Sequence, residues 1–239
     1  MIQAIMFDLW NTLIINKSYS KQRVERLFQF LQERDISLSF EELTTAYDRR
    51  FHLTEVTFEE IEFRHIYTED RILNVLTELN IVISKDDLDI IKQDLESLML
   101  QDPPLLKTSV KKTLEILTPN YQIGLISNTG VTPGRVLCKV LDGHKILDLF
   151  DVTVFSDETG YFKPHLKMFE IPLKKLNCKS ENAIHVGDML ETDIKGANDI
   201  QMTSVWFNDA NKMNPLGITP DYEIKEMFEI MEIINEISD

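Results

Sequence analysis

Ile2-Gln3-Ala4-Ile5-Met6-Phe7-Asp8 is a short apolar run that ends on a carboxylate. Such a run reads as a buried strand that breaks into a loop, here Leu9-Trp10-Asn11-Thr12. Three later segments have the same build, an apolar stretch giving way to chemistry-bearing residues. They are Leu125-Ile126-Ser127-Asn128, Phe162-Lys163-Pro164, and Val186-Gly187-Asp188 continuing to Asp193. Together the four supply a carboxylate nucleophile, a hydroxyl, a fixed cation and an acidic metal site.

Outward from these segments the chain divides in texture. From about Lys17 to Met99 the pattern is helical. Val24, Leu27, Phe28 and Leu31 recur at i, i+3, i+4 and i+7. Ser39 with Glu42 predicts a capping box, and Ser84 with Asp87 opens the stripe of Leu88, Ile91, Leu95 and Leu98. Phe58 to Asn80 reads as one or two further helices, and Ile81 to Ile83 is too short for a strand. Pro103-Pro104 ends the block.

After about Leu105, helices and strands alternate. Helices are predicted near Ser109–Leu117, after Pro133, over His165–Leu176, over Glu191–Asp199 and over Met227–Ile237. Strands are predicted at Gln122–Ile126, Val152–Phe155, Ala183–Val186 and Ser204–Phe207, with an edge strand at Tyr222–Ile224. Alternation of this kind implies a parallel sheet with helices on both faces. The predicted fold is therefore α/β: a doubly wound core, residues 1–16 and 104–239, with an all-helical insertion, residues 17–103. In an open α/β sheet the carboxyl ends of the strands bind ligands, and an insertion directly after the first strand lies over that crevice.

The chain has 239 residues, 43% of them hydrophobic and 27% charged, which suits a globular protein. Its formal net charge of −15 repels phosphate backbones and argues against nucleic acid as a partner. A bound divalent cation can reverse that field locally, so small phosphorylated substrates are not excluded. Cys138 and Cys178 lack the neighbours of a zinc site and read as free thiols. The chain opens on a strand, with no leader-like segment, and no apolar stretch approaches a membrane span, so a cytoplasmic location is expected.

In order and spacing the four segments resemble those of the haloacid dehalogenase superfamily of hydrolases, whose helical cap follows the first strand. The resemblance implies roles. Asp8 is the nucleophile, although a lone aspartate there would read as a turn residue. Thr12 matches the family's hydroxyl residue; it orients Asp8 or bonds the backbone of its own turn. Ser127 matches the second motif, where a hydroxyl and nearby N–H groups bind a phosphoryl group or a carboxylate. Asn128 adds a donor. Lys163 matches the third motif and holds Asp8 and a substrate anion together. Asp188 and Asp193 match the acidic fourth motif and, with Asp8 and the Trp10 carbonyl, would hold Mg²⁺ through oxygen ligands. Glu191 reads as a helix N-terminal charge, and Tyr161 and His165 as packing or helix-start residues. Asn11 stands where the family has glycine and tolerates a left-handed turn.

Trp10 departs from the phosphatase pattern. The family's phosphatases carry a second aspartate there, which protonates the leaving group and later activates water. An indole N–H does neither. Trp10 and Asn11 are instead expected to contact substrate or pack beneath the cap. The leading expectation is a Mg²⁺-dependent phosphatase of a small phosphorylated molecule. A metal-independent 2-haloacid dehalogenase is the alternative: Trp10 favours it, and Asp188 opposes it, because family dehalogenases have a neutral fourth motif. A non-catalytic binding protein is a third reading. His52, His65, Arg49, Arg50 and Arg64 are the cap residues considered for specificity.

Overall fold

In the computed structural model, which describes residues 1–51 and 62–238, six parallel strands form one sheet in the order β3-β2-β1-β4-β5-β6. The strands are β1 (Ala4–Phe7), β2 (Gln122–Ser127), β3 (Val152–Phe155), β4 (Ala183–Gly187), β5 (Thr203–Phe207) and β6 (Tyr222–Ile224). Every residue of β1 and β4 is buried. That explains the unbroken apolar run of β1, because a strand covered on both faces has no polar side to show, and in β4 the one polar residue, His185, is itself buried. β1 pairs with β2 on one side and β4 on the other, so the chain reverses its winding there. Asp8 emerges at that point, its N–H donating to Val186 O at 2.9 Å.

Between β1 and β2 lie four long helices: α1 (Ser20–Gln32), α2 (Phe40–Arg50), α3 (Thr68–Glu78) and α4 (Lys85–Ser97). They share an apolar cluster that includes Leu27, Tyr47, Ile72, Val75 and Ile91. Each large side chain buried there contributes about 1.5–3 kcal/mol. The capping box at α2 is present: Ser39 Oγ accepts from Glu42 N at 3.2 Å, and Glu42 Oε2 accepts from Ser39 N at 2.8 Å. Ser84 Oγ likewise accepts from Asp87 N to start α4. Residues 81–83 form no strand. The part of the predicted Phe58–Asn80 helix before residue 62 lies outside the described residues.

The chain leaves and rejoins the sheet along one seam. Ile15 N donates to Leu105 O and Lys107 N to Leu13 O, each at 2.9 Å, and Lys17 forms an ion pair with Asp102. A second seam joins residues 63–65 to the loop before Lys163. There Phe162 N donates to Phe63 O at 2.6 Å, and His65 N donates to Gly160 O at 2.9 Å.

The remaining helices are α5 (Val110–Leu117), α6 (Gly134–Gly143), α7 (Ser156–Thr159), α8 (Lys167–Lys175), α9 (Lys195–Asp199) and α10 (Ile230–Ser238). Two differ from expectation. The short α7 gave no periodic signal. The predicted Glu191–Asp199 helix begins instead with one π-helical turn, Leu190–Ile194, which carries Asp193. Among the described residues no helix is long and apolar enough to cross a membrane. Cys138 and Cys178 are free.

Candidate active site

The end of β1 delivers Asp8, the end of β4 delivers Asp188, and the π-helical turn after it delivers Asp193. One ligand oxygen from each lies within 4.8 Å of the others, and all three residues are buried. Gly187 permits this approach: a Cβ there would collide with the Asp193 carboxyl.

Lys163 stands among the carboxylates. Its Nζ donates to Asp8 Oδ1 at 2.5 Å, Asp193 Oδ1 at 2.6 Å and Ile126 O at 2.8 Å, which uses all three ammonium protons. Asn128 fixes its backbone. Asn128 Oδ1 accepts from Lys163 N at 2.7 Å, and Asn128 Nδ2 donates to Lys163 O at 3.3 Å. Asn128 thus serves the cation, and these two bonds use only one of its two amide protons. Trp10 joins the same cluster, its indole Nε1 donating to Asn128 O at 3.1 Å. Asn11 adopts φ 56°, as the left-handed turn predicts, and its Oδ1 accepts from Asn16 N.

The electrostatics follow from one ammonium serving two buried acids. Burial pushes Asp8 up to about 7 against the pull of Lys163, with Asp193 and Asp188 adding to the push. Burial would raise Asp193 too, but Lys163 and His185 bring it down to about 2. For Lys163, burial works against the ammonium and the two carboxylates outweigh it, so its pKa rises. His185 Nε2 lies 3.0 Å from Asp193 Oδ1, and burial lowers the His185 pKa. A carboxylate only accepts, so the ring proton sits on Nε2, and Nδ1 is left buried without a partner. Asp193 Oδ2 accepts from Met189 N. Asp188 is raised by burial, and Lys212 Nζ, 3.0 Å from its Oδ2, opposes that. Among the described residues, Asp8 Oδ2 and Asp188 Oδ1 accept no hydrogen bond.

A cavity of about 770 Å³ opens above this cluster. Asp8, Trp10, Asn11, Asn128, Lys163, Asp188 and Asp193 all line it. Thr12 and Ser127 do not. Both are wholly buried; Ser127 Oγ lies 3.4 Å from Asn128 O, and Thr12 Oγ1 bonds neither Asp8 nor the backbone.

This motif geometry is that of a known family. A family model described as haloacid dehalogenase-like hydrolase matches residues 2–201. The chain belongs to the haloacid dehalogenase-like hydrolases. Among its relatives is a glyceraldehyde 3-phosphate phosphatase of Methanothermobacter thermautotrophicus, 26% identical over 255 residues and spanning 97% of this chain and 100% of the relative. A ribulose-1,5-bisphosphate 5-phosphatase of Halopiger xanaduensis is 35% identical over 107 residues, 45% of this chain and 44% of the relative. The crystal structure of a 2-haloacid dehalogenase from Pseudomonas syringae superposes with a TM-score of 0.74, covering 99% of this chain and 100% of that one at 23% identity. The fold is thus shared by members that cleave phosphate esters and members that cleave carbon–halogen bonds.

Of the cap residues considered from sequence, the four that are described do not line the cavity of this hydrolase. Arg49 and Arg50 pair with Glu78 on the surface, and Arg64 lies near Glu62. His65 is buried, with Nδ1 3.1 Å from Ser156 Oγ. His52 lies outside the described residues. Arg23 of α1 and Arg71 of α3 line the cavity instead. Their signal was available. Arg23 is followed by Leu27 and Phe30 at i+4 and i+7, and Arg71 lies between Thr68 and Val75 on one stripe. Each is a cation on an apolar face.

Proposed function

We propose that this hydrolase is a Mg²⁺-dependent phosphatase of a small phosphorylated molecule, with residues 17–103 acting as its cap. The observation that carries the reading is the convergence of Asp8, Asp188 and Asp193, an oxygen-only donor set of the kind a hard divalent cation prefers. Asp188 Oδ1, unengaged by hydrogen bonds, fits that use, and the Trp10 carbonyl is proposed as a further oxygen ligand. Magnesium, when bound, offsets the negative charge gathered on the carboxylates and the phosphoryl group.

The protein's own residues divide the remaining work. Lys163 holds Asp8 Oδ1, leaving Oδ2 to attack phosphorus in line. A bond forms from Asp8 to phosphorus as the bond to the leaving oxygen breaks, and water later cleaves the acyl phosphate. Asn128 holds Lys163 in place. Thr12 and Ser127, wholly buried, shape the loops around the site. Trp10 cannot titrate, and its indole N–H is spent on Asn128 O, so in this reading the leaving oxygen takes its proton from water. Phosphorylated substrates of the relatives accord with the reading.

The second reading is 2-haloacid dehalogenation, in which Asp8 attacks carbon and no cation is needed. Trp10 favours it, as does Lys212, whose ammonium already sits against Asp188. Assays of aryl phosphates and 2-haloacids, each with Mg²⁺ and with chelator, separate the two. The phosphatase reading expects aryl phosphate turnover that chelator abolishes. Halide release undiminished by chelator would replace it with dehalogenation.

A further inference from the structure

Of the charges facing the cavity from the helical side, Arg23 stands out by what it lacks. Five other arginines of the inserted helices and the segment between α2 and α3 lie within salt-bridge distance of a carboxylate: Arg26, Arg34, Arg49, Arg50 and Arg64. Arg23 does not, among the described residues. Its Nη2 donates to Thr132 Oγ1 at 3.0 Å, its Cζ lies 5.7 Å from the Tyr19 ring centroid, and its Nε is buried without an acceptor. This is a chain with 40 acidic residues against 25 basic ones, so carboxylates are not scarce. Arg23 is half-buried, and a guanidinium whose Nε is shut away from water without an acceptor costs stability unless something outside the fold repays it.

We propose that Arg23 binds a second anionic group of the substrate, a carboxylate or a second phosphoryl group, across the cavity from the Asp8–Lys163 pair. The proposal rests on the phosphatase reading for the first group, which the sheet side receives. Arg23 and the Asp8 cluster line one cavity, whose volume of about 770 Å³ accommodates a small bifunctional anion. Nε–H is a donor in search of an oxygen, and guanidinium geometry matches the oxygens of carboxylate and phosphate. Burial lowers the Arg23 pKa, and only Tyr47 and Tyr19 act against it, without reversing it. The first turn of α1, at whose end Ser18 and Ser20 also line the cavity, carries no acidic residue.

The test compares 4-carboxyphenyl phosphate and 1,4-phenylene bisphosphate with 4-carbamoylphenyl phosphate, a neutral match with a similar leaving group. The readout is the ratio of kcat/KM for each anionic ester to that for the carbamoyl ester, within one protein, so a general loss of activity cancels. Wild type is expected to prefer at least one anionic ester by about tenfold or more, through KM rather than kcat. Whichever anion shows the larger preference is the group Arg23 recognises. Arg23→Gln should bring the ratio close to one, and Arg23→Lys should retain part of it. A wild-type ratio near one, or a ratio that Arg23→Gln leaves intact, overturns the proposal. If wild type hydrolyses none of the esters, the phosphatase reading fails separately. Calorimetric binding of the same compounds then decides on Arg23, with equal affinity for the carbamoyl and anionic esters overturning it.

Discussion

On the sheet side of the cavity charge answers charge at hydrogen-bonding distance: Lys163 with Asp8 and Asp193, Lys212 with Asp188. On the helical side Arg23 has a hydroxyl, an aromatic ring and an empty Nε. The sheet side holds its acids and ammoniums in place before any ligand arrives, as a preorganised reaction centre needs to, with Asp8 Oδ2 and Asp188 Oδ1 left open. The helical side is incomplete, as suits a surface whose missing partner comes with the substrate. The predictions below set the two sides against each other.

The largest expected effect is on the sheet side. Lys163→Met leaves Asp8 and Asp193 buried without their shared cation. It should cost about 3–5 kcal/mol in urea unfolding and abolish turnover. A loss below about 1 kcal/mol would mean the two carboxylates do not depend on that ammonium.

The seam between the sides gives the next effect. Burial holds His65 down to about 4 from 6.5, with Arg71 adding to the depression and Asp157 opposing it. A base depressed in the folded state contributes nothing above pH 6.5. Below that the unfolded chain binds a proton that the folded one refuses. Wild type should therefore lose on the order of 2–3 kcal/mol, relative to His65→Gln, as pH falls from 6.5 to 4. Parallel stability curves for the two proteins would place His65 in water rather than in the seam.

These expectations also show which parts of the molecule could be read in advance. Strands β1 to β5 were legible because burial, complete or nearly so, leaves an apolar run and a polar break, and β6 only as a short edge strand. Asp8, Asp188 and Asp193 sit at or just beyond such breaks, while Lys163 follows β3 only after the short α7 and a loop. The helical side was legible only as amphipathic stripes. Arg49, Arg50 and Arg64 were conspicuous as charges and proved to be surface residues, while Arg23 was hidden inside a stripe. Asn128 was read as a ligand donor. Its backbone clamp on Lys163 joins residues 35 apart, which no local pattern reports.

A third effect tests whether Trp10 leaves the sheet side without an acid. Trp10→Asp should raise kcat/KM for alkyl phosphates about tenfold more than for aryl phosphates, since only poor leaving groups need the proton. Equal gains, with wild-type chemistry rate-limiting and indifferent to leaving group, would point to another proton donor. The smallest effect returns to the helical side. Arg23→Met removes a half-buried cation that no carboxylate pairs among the described residues, and should stabilise the ligand-free protein or change it by less than about 1 kcal/mol. A loss comparable to that of Lys163→Met would erase the distinction between the two sides.

The central claim is that Asp8 attacks phosphorus, and rapid acid quench followed by peptide mass spectrometry tests it most directly. Wild type turning over an aryl phosphate with Mg²⁺ should carry a phosphoryl group on the peptide containing Asp8, and Asp8→Asn should carry none. A phosphoryl group on any other peptide would contradict the account, as would an Asp8 ester formed from a 2-haloacid in chelator with none from the phosphate.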